Sequence, residues 1–177
     1  ALASKDIEAI MQLLIDAEMK MFQGLRTPVI FLQNVVTDLL LGLGVKQAFR
    51  IFHDHVRSRY SAEPGYITMN LPRLLDVLDE LGIQNPVVCS NINKIGFRMC
   101  GGVSAYEQTV KERTFRPVAM SVFASGAISP REAIAYVCQQ PQIESIVFGA
   151  SGRANIRQTC QLINELTVNG SSRQPGL

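Results

Sequence analysis

Two turns rich in glycine and serine carry the strongest chemical signal in the chain: Ala124-Ser-Gly-Ala-Ile-Ser-Pro130 and Phe148-Gly-Ala-Ser-Gly-Arg-Ala-Asn155. Each sets small side chains between an apolar run and the start of a helical pattern. Bare amides at a helix start, together with the helix dipole, hold an anion, and small side chains let a phosphate come close. Ser125, Gly126, Gly149, Ser151, Gly152, Arg153 and Asn155 are therefore candidates for binding an anionic cofactor or ligand, with Arg153 adding charge. The same turns also read as ordinary tight connections with capping serines; two in succession are more specific than one.

Lys94 is the one lysine directly after a candidate strand, within Ser90-Asn-Ile-Asn-Lys-Ile-Gly-Phe-Arg98. In an apolar mouth such an amine forms a Schiff base or moves a proton, whereas in solvent it only anchors an anion. Asp38, the one acid directly after a strand, is a base or hydroxyl binder, or else it caps the local turn Thr37-Asp-Leu-Leu. Lys94 and Asp38 are the catalytic candidates. Asn34, Asn70, Asn91 and Asn93, polar residues at strand ends, are the substrate-binding candidates. No metal is expected: His53 and His55 flank Asp54 at a spacing of two, which points them to different faces of a helix, and they read as part of a solvated face. Phe97, Met99 and Tyr106 line a pocket or pack the core. No dinucleotide-binding GxGxxG follows a strand, and no P-loop is present.

Composition narrows the partners. The 177 residues are 47% hydrophobic and 18% charged, which excludes disorder, collagen and coiled coil. Seventeen Lys plus Arg against 15 Asp plus Glu give a net charge of +2, too balanced for a dedicated nucleic-acid binder, so the expected partner is a small anionic molecule. The greasy stretch Val35–Leu43 is broken by Thr37, Asp38 and Gly42 and falls short of the roughly 20 residues that span a bilayer, so no membrane is expected. Cys89, Cys100, Cys138 and Cys160 form no CxxC pair and read as buried structural cysteines in a reducing, cytoplasmic setting. The opening Ala1-Leu-Ala3 lacks Met and reads as a processed or truncated start, not as an export signal.

The elements that must position these residues alternate. A helix carries Ile7, Ile10, Met11, Leu13, Leu14 and Ala17 behind a cap at Ser4 and ends near Gly24. Strands are expected at Pro28–Leu32, Tyr66–Asn70, Pro86–Ile92, Pro117–Phe123 and Glu144–Gly149. Between them lie a helical stripe at Val45, Ala48, Phe49, Phe52 and Val56, a helix over Pro72–Leu81, and two helices opened by the capping boxes Ser104-Ala-Tyr-Glu107 and Ser129-Pro-Arg-Glu132. A last helix spans Asn155–Leu166, and residues 169–177 read as a loose polar tail after a single domain over 1–168. Five βα units with parallel strands define an α/β protein. Two architectures are compatible: an incomplete or C-terminal part of a TIM barrel, and a complete five-stranded, doubly wound, flavodoxin-like sheet acting as a noncatalytic binding or assembly domain. In the first, a partial barrel would be completed by a missing N-terminal segment or by pairing as a homo-oligomer.

From Tyr66 onward the chain resembles the C-terminal half of the aldo-keto reductase barrel. The segment Tyr66-Ile-Thr-Met-Asn-Leu-Pro-Arg-Leu-Leu75 is similar to the family's strand-four unit. Pro117-Val-Ala-Met-Ser121, Ala133-Ile-Ala-Tyr-Val137 and Ile143-Glu-Ser-Ile-Val-Phe-Gly-Ala-Ser-Gly-Arg-Ala-Asn-Ile156 are similar to its last two units. The resemblance covers roughly two thirds of the chain and implies a nicotinamide cofactor, NADP, whose phosphate falls on Ser151, Gly152, Arg153 and Asn155. The family's catalytic Asp, Tyr and Lys have no counterpart here, and its catalytic His is not found at Asn70. The Ala-Ser-Gly-Ala-Ile-Ser turn also resembles the phosphate turn of barrels in tryptophan and histidine biosynthesis and of aldolases, which implies a lyase with Lys94 as nucleophile.

Overall fold

A computed structural model describes the backbone of residues 2–171 and the side chains of residues 6–167. Helix α1 (Leu2–Met19) and a 3-10 turn (Lys20–Phe22) precede strand β1 (Val29–Leu32). Then follow α2 (Asn34–Leu43), α3 (Gln47–Tyr60), β2 (Glu63–Thr68), α4 (Leu71–Glu80), β3 (Val87–Asn91), α5 (Gly102–Glu112), β4 (Arg116–Met120), α6 (Pro130–Cys138), β5 (Ser145–Ile146) and α7 (Arg153–Ser171). The five strands form one parallel sheet in the order β1-β2-β3-β4-β5. The α/β class and the five βα units expected from the apolar runs are both present.

That order overturns the doubly wound alternative. A flavodoxin-like sheet runs 2-1-3-4-5, because the chain reverses direction after its first crossover. Here every strand pairs with its successor and no reversal occurs. With right-handed crossovers this is a singly wound β/α chain, the winding that barrels use.

The chain divides into two compact units, residues 1–88 and 89–177, with the division inside β3. In the first unit α3 turns Ala48, Phe49, Phe52 and Val56 inward, all 2% exposed or less. Phe49 and Phe52 meet the ring of Tyr66 on β2, with centroids 6.1 and 5.6 Å apart. Burying each such ring contributes about 1.5–3 kcal/mol. Helix α1 is fastened to α3 through Asp16, whose carboxylate accepts from Tyr60 Oη at 2.6 Å and pairs with His55 Nε2 at 2.7 Å. His53 turns the other way, 3.5 Å from Tyr66 Oη. The two histidines thus face different neighbours, as their spacing requires, yet neither belongs to a solvated face.

In the second unit α5 buries Tyr106, Thr109 and Val110, and α6 buries Ala133, Ile134 and Val137. Ser129 caps α6, its hydroxyl accepting the Glu132 amide, as the capping box predicts. The second box fails: α5 starts two residues before Ser104, at the left-handed Gly101-Gly102 pair (φ 94° and 83°), leaving Ser104 inside the first turn. Ser4 likewise falls inside α1. Of the expected tail, residues 169–171 belong to α7 and 172–177 lie outside the described residues.

Candidate functional site

The second unit holds an open cavity of about 760 Å³ at the carboxyl ends of β4 and β5. Met120 closes β4 at its floor; Ser121–Phe123, Ser125 and Gly126 form one wall, and Val147–Ser151 with the first turns of α7 form the other. Of the residues expected to bind an anion, Ser125, Gly126, Gly149, Ser151 and Asn155 share this lining, while Gly152 and Arg153 lie beside it without lining it. Asn155 Nδ2 donates to Ser151 Oγ at 2.9 Å, so the two side chains are already joined across the first turn of α7.

The first wall is strained. Ser121, Ala124 and Ser125 hold positive φ of 53°, 46° and 59°, followed by Gly126 at 88°. A left-handed residue other than glycine costs about 1 kcal/mol or more. Only Gly126 adopts this geometry freely, and the amides of Ala124, Gly126 and Ala127 are spent within the turn on the carbonyls of Ser121, Phe123 and Ala124, at 2.9, 2.8 and 3.2 Å.

The loop after β3 adds Arg98, which carries no sequence signal, beside the Phe97 expected at a pocket. Phe97 and Arg98 both line the cavity, and the Arg98 guanidinium lies 5.2 Å from the Phe97 ring centroid. Arg98 makes no ion pair among the described residues. Its loop is tied by two asparagines expected to bind substrate. Asn91 Nδ2 donates to Arg98 O at 2.8 Å; Asn93 Nδ2 donates to Phe97 O at 2.9 Å while its Oδ1 accepts the Phe97 amide at 2.8 Å. Asn91 and Asn93 are buried, 1% and 0% exposed, and their amides are spent on backbone. A single arginine within Lys-Ile-Gly-Phe-Arg has no periodic or motif signal; only the loop's folding back singles it out.

The other candidates lie elsewhere. Lys94 Nζ pairs with Glu132 Oε1 at 2.6 Å, half exposed, and does not line the cavity. Asp38 lies inside α2 and not in a loop, where it accepts from Thr68 Oγ1 at 2.6 Å and from the Met69 amide at 3.0 Å. It joins α2 to the end of β2. Asn34 is the first residue of α2, and Asn70 precedes α4 without capping it through its side chain. Phe97 lines the pocket, whereas Met99 and Tyr106 belong to the core. Cys89 is buried as expected; Cys100 and Cys160 are exposed, because they face outward from a loop and from α7. Among the described residues no cluster of His, Cys, Asp or Glu is arranged to hold a metal ion, and no helix is long and apolar enough to cross a membrane.

Fold and cavity together define a class: a singly wound parallel β/α protein with an open cavity at the carboxyl ends of its last two strands. No protein-family model, curated protein or solved structure matches the chain.

Proposed function

We propose that this chain is the later part of a TIM-type barrel and binds a small phosphorylated molecule, a metabolite or the phosphate of a nicotinamide dinucleotide, between its last two strand ends. The observation that carries this reading is the shared lining: the Ser125–Gly126 turn, the Gly149–Ser151 turn, Asn155 and Arg98 all border one cavity of about 760 Å³. The hydroxyls of Ser125 and Ser151 supply donors, and Arg98 supplies a charge free of any carboxylate. Phe97, Phe123 and Phe148 give the same cavity an apolar side suited to the organic part of such a ligand. These groups fit a phosphate; when NADP is the ligand, it supplies the hydride chemistry, and this chain's part is to hold its phosphate through Ser125, Ser151 and Asn155.

Calorimetric titration with inorganic phosphate, a pentose phosphate and NADPH tests the reading. Saturable binding of at least one is expected, weakened about tenfold or more in Arg98→Ala, since a hydrogen bond to a charged group is worth about 1.5–3 kcal/mol. No saturable binding of any of the three, or binding indifferent to Arg98→Ala and to Ser151→Ala, overturns it. The lyase variant asks Lys94 to leave Glu132 and attack a carbonyl. Borohydride trapping with a phosphorylated carbonyl compound decides it: an unmodified Lys94 removes the variant.

A further inference from the structure

We propose that the free edge of β1, with the apolar stripes of α1 and α2 beside it, is the surface through which two copies of this chain pair about a twofold axis. Ten of the thirteen large apolar side chains left exposed among the described residues fall between Ile10 and Leu43. Three of them, Leu14, Phe22 and Phe31, line a groove of about 570 Å³ between α1 and β1 together with Met11, Ile30 and Val36 among others. Along α2, Val35, Leu39 and Leu43 recur every fourth residue and are 65%, 58% and 67% exposed, an apolar stripe turned outward.

Among the described residues β1 pairs with β2 alone, so its other edge offers amides and carbonyls to a further strand. Its sequence Val-Ile-Phe-Leu contains none of the lysines, prolines or bulges that protect edge strands. A second copy is favoured by charge. In a twofold interface a charge near the axis meets its own duplicate, so self-pairing demands a surface without net charge there. From Thr27 to Val45 the only charged residue is Asp38, whose carboxylate is held by Thr68 and Met69, and the one charged side chain lining the groove is Glu18 of α1, which a twofold seam must keep off its axis. Area agrees: ten such side chains, from 37% exposed at Phe31 to 80% at Met21, amount to roughly 1,000 Å². A standard interface needs about 800 Å² per partner, and the largest apolar patch of a typical monomer is about 300–600 Å².

Sedimentation velocity in the tens of micromolar tests the proposal, an interface of this size giving micromolar or tighter association. The expected species has twice the 19.5 kDa of the chain. Leu14→Glu and Leu39→Glu, both at side chains more than half exposed, are each expected to weaken association about tenfold or more while the far-ultraviolet circular dichroism stays unchanged. Ile95→Glu, an exposed apolar position of the second unit, is expected to leave it intact. A wild-type chain that stays at 19.5 kDa gives the groove to some other strand or partner and overturns the proposal. So does a dimer that survives Leu14→Glu and Leu39→Glu combined in a folded protein.

Discussion

Asn93 shows how far residue type alone carries. An asparagine after a parallel strand has one acceptor and two donors to give either to a ligand or to its own loop. Here it gives both ends of its amide to Phe97, and the loop so closed is what carries Arg98 to the cavity. Asn93→Ala is expected to cost about 1–3 kcal/mol, because it leaves two part-buried backbone groups of Phe97 without their partner, and to weaken phosphate binding as well. Urea denaturation and the titration described above read the two effects separately. Ser90 is the opposite case. Its hydroxyl is fully buried and has no hydrogen-bond partner among the described residues. Removing a buried group that makes no bond lifts a desolvation cost, so Ser90→Ala is expected to raise stability by up to about 1 kcal/mol. A loss of stability in the same denaturation measurement would show that the hydroxyl is satisfied after all.

At the scale of elements, β1 and β2 meet through an aromatic ring laid on a glycine. Gly65 stands in register with Phe31, and a Cβ at Gly65 would come within 2.6 Å of two ring atoms. Gly65→Ala therefore forces the ring outward and is expected to destabilise by about 1–3 kcal/mol. Phe31→Leu should recover most of that loss, giving a coupling between the two sites of at least about 0.5 kcal/mol in a double-mutant cycle; additive effects would refute the contact. The same glycine explains why β2 starts three residues before its sequence pattern. Pro64 and Gly65 are types depleted from strands, so the apolar signal starts at Tyr66 although the ladder starts at Glu63. Helix α2 escaped notice for a related reason: its regular apolar stripe points outward, and the polar Thr37 and Asp38 are the residues that face the strands. Strand β5 is only two residues long where six were expected, though the Val147 amide still donates to Ala119 O at 2.8 Å. Where apolar residues face the core, as in α3, α4 and α6, the pattern and the element coincide. The two glycine-serine turns were legible because small residues before a helix have few other uses. Arg98 was not, since its position depends on side-chain to backbone bonds that no spacing encodes.

For the whole molecule, the perturbed acids and bases fix a window of pH stability. On the acid side, burial holds the His53 imidazole below its usual range, and hydrogen bonds from Tyr60 and then His55 hold the Asp16 carboxyl below its own. His53 is kept neutral by folding, so its contribution is present above about pH 6.5 and fades as pH falls; Asp16 is kept ionised, so its contribution fades only below about pH 4. On the alkaline side, burial pushes the Cys89 thiol up to about 11, Tyr136 up to about 12, and Tyr60 and Tyr66 above the ordinary phenol range. Each of these groups is kept protonated by folding, so its contribution is whole below its unfolded value and is lost as pH rises. The thiol begins first, near pH 9, and the phenols follow from about pH 10. Stability is therefore expected to be level between about pH 7 and 9 and to fall on both sides, with Cys89 alone accounting for about 2 kcal/mol by pH 11. Urea midpoints at pH 7.5, 9 and 10.5 check the curve, and Cys89→Ala checks the assignment: the variant should hold its stability to about pH 10 before the phenols titrate. A wild-type midpoint that does not move between pH 9 and 10.5, or one that falls identically in Cys89→Ala, would mean that β3 opens to solvent around this thiol before the rest of the protein unfolds.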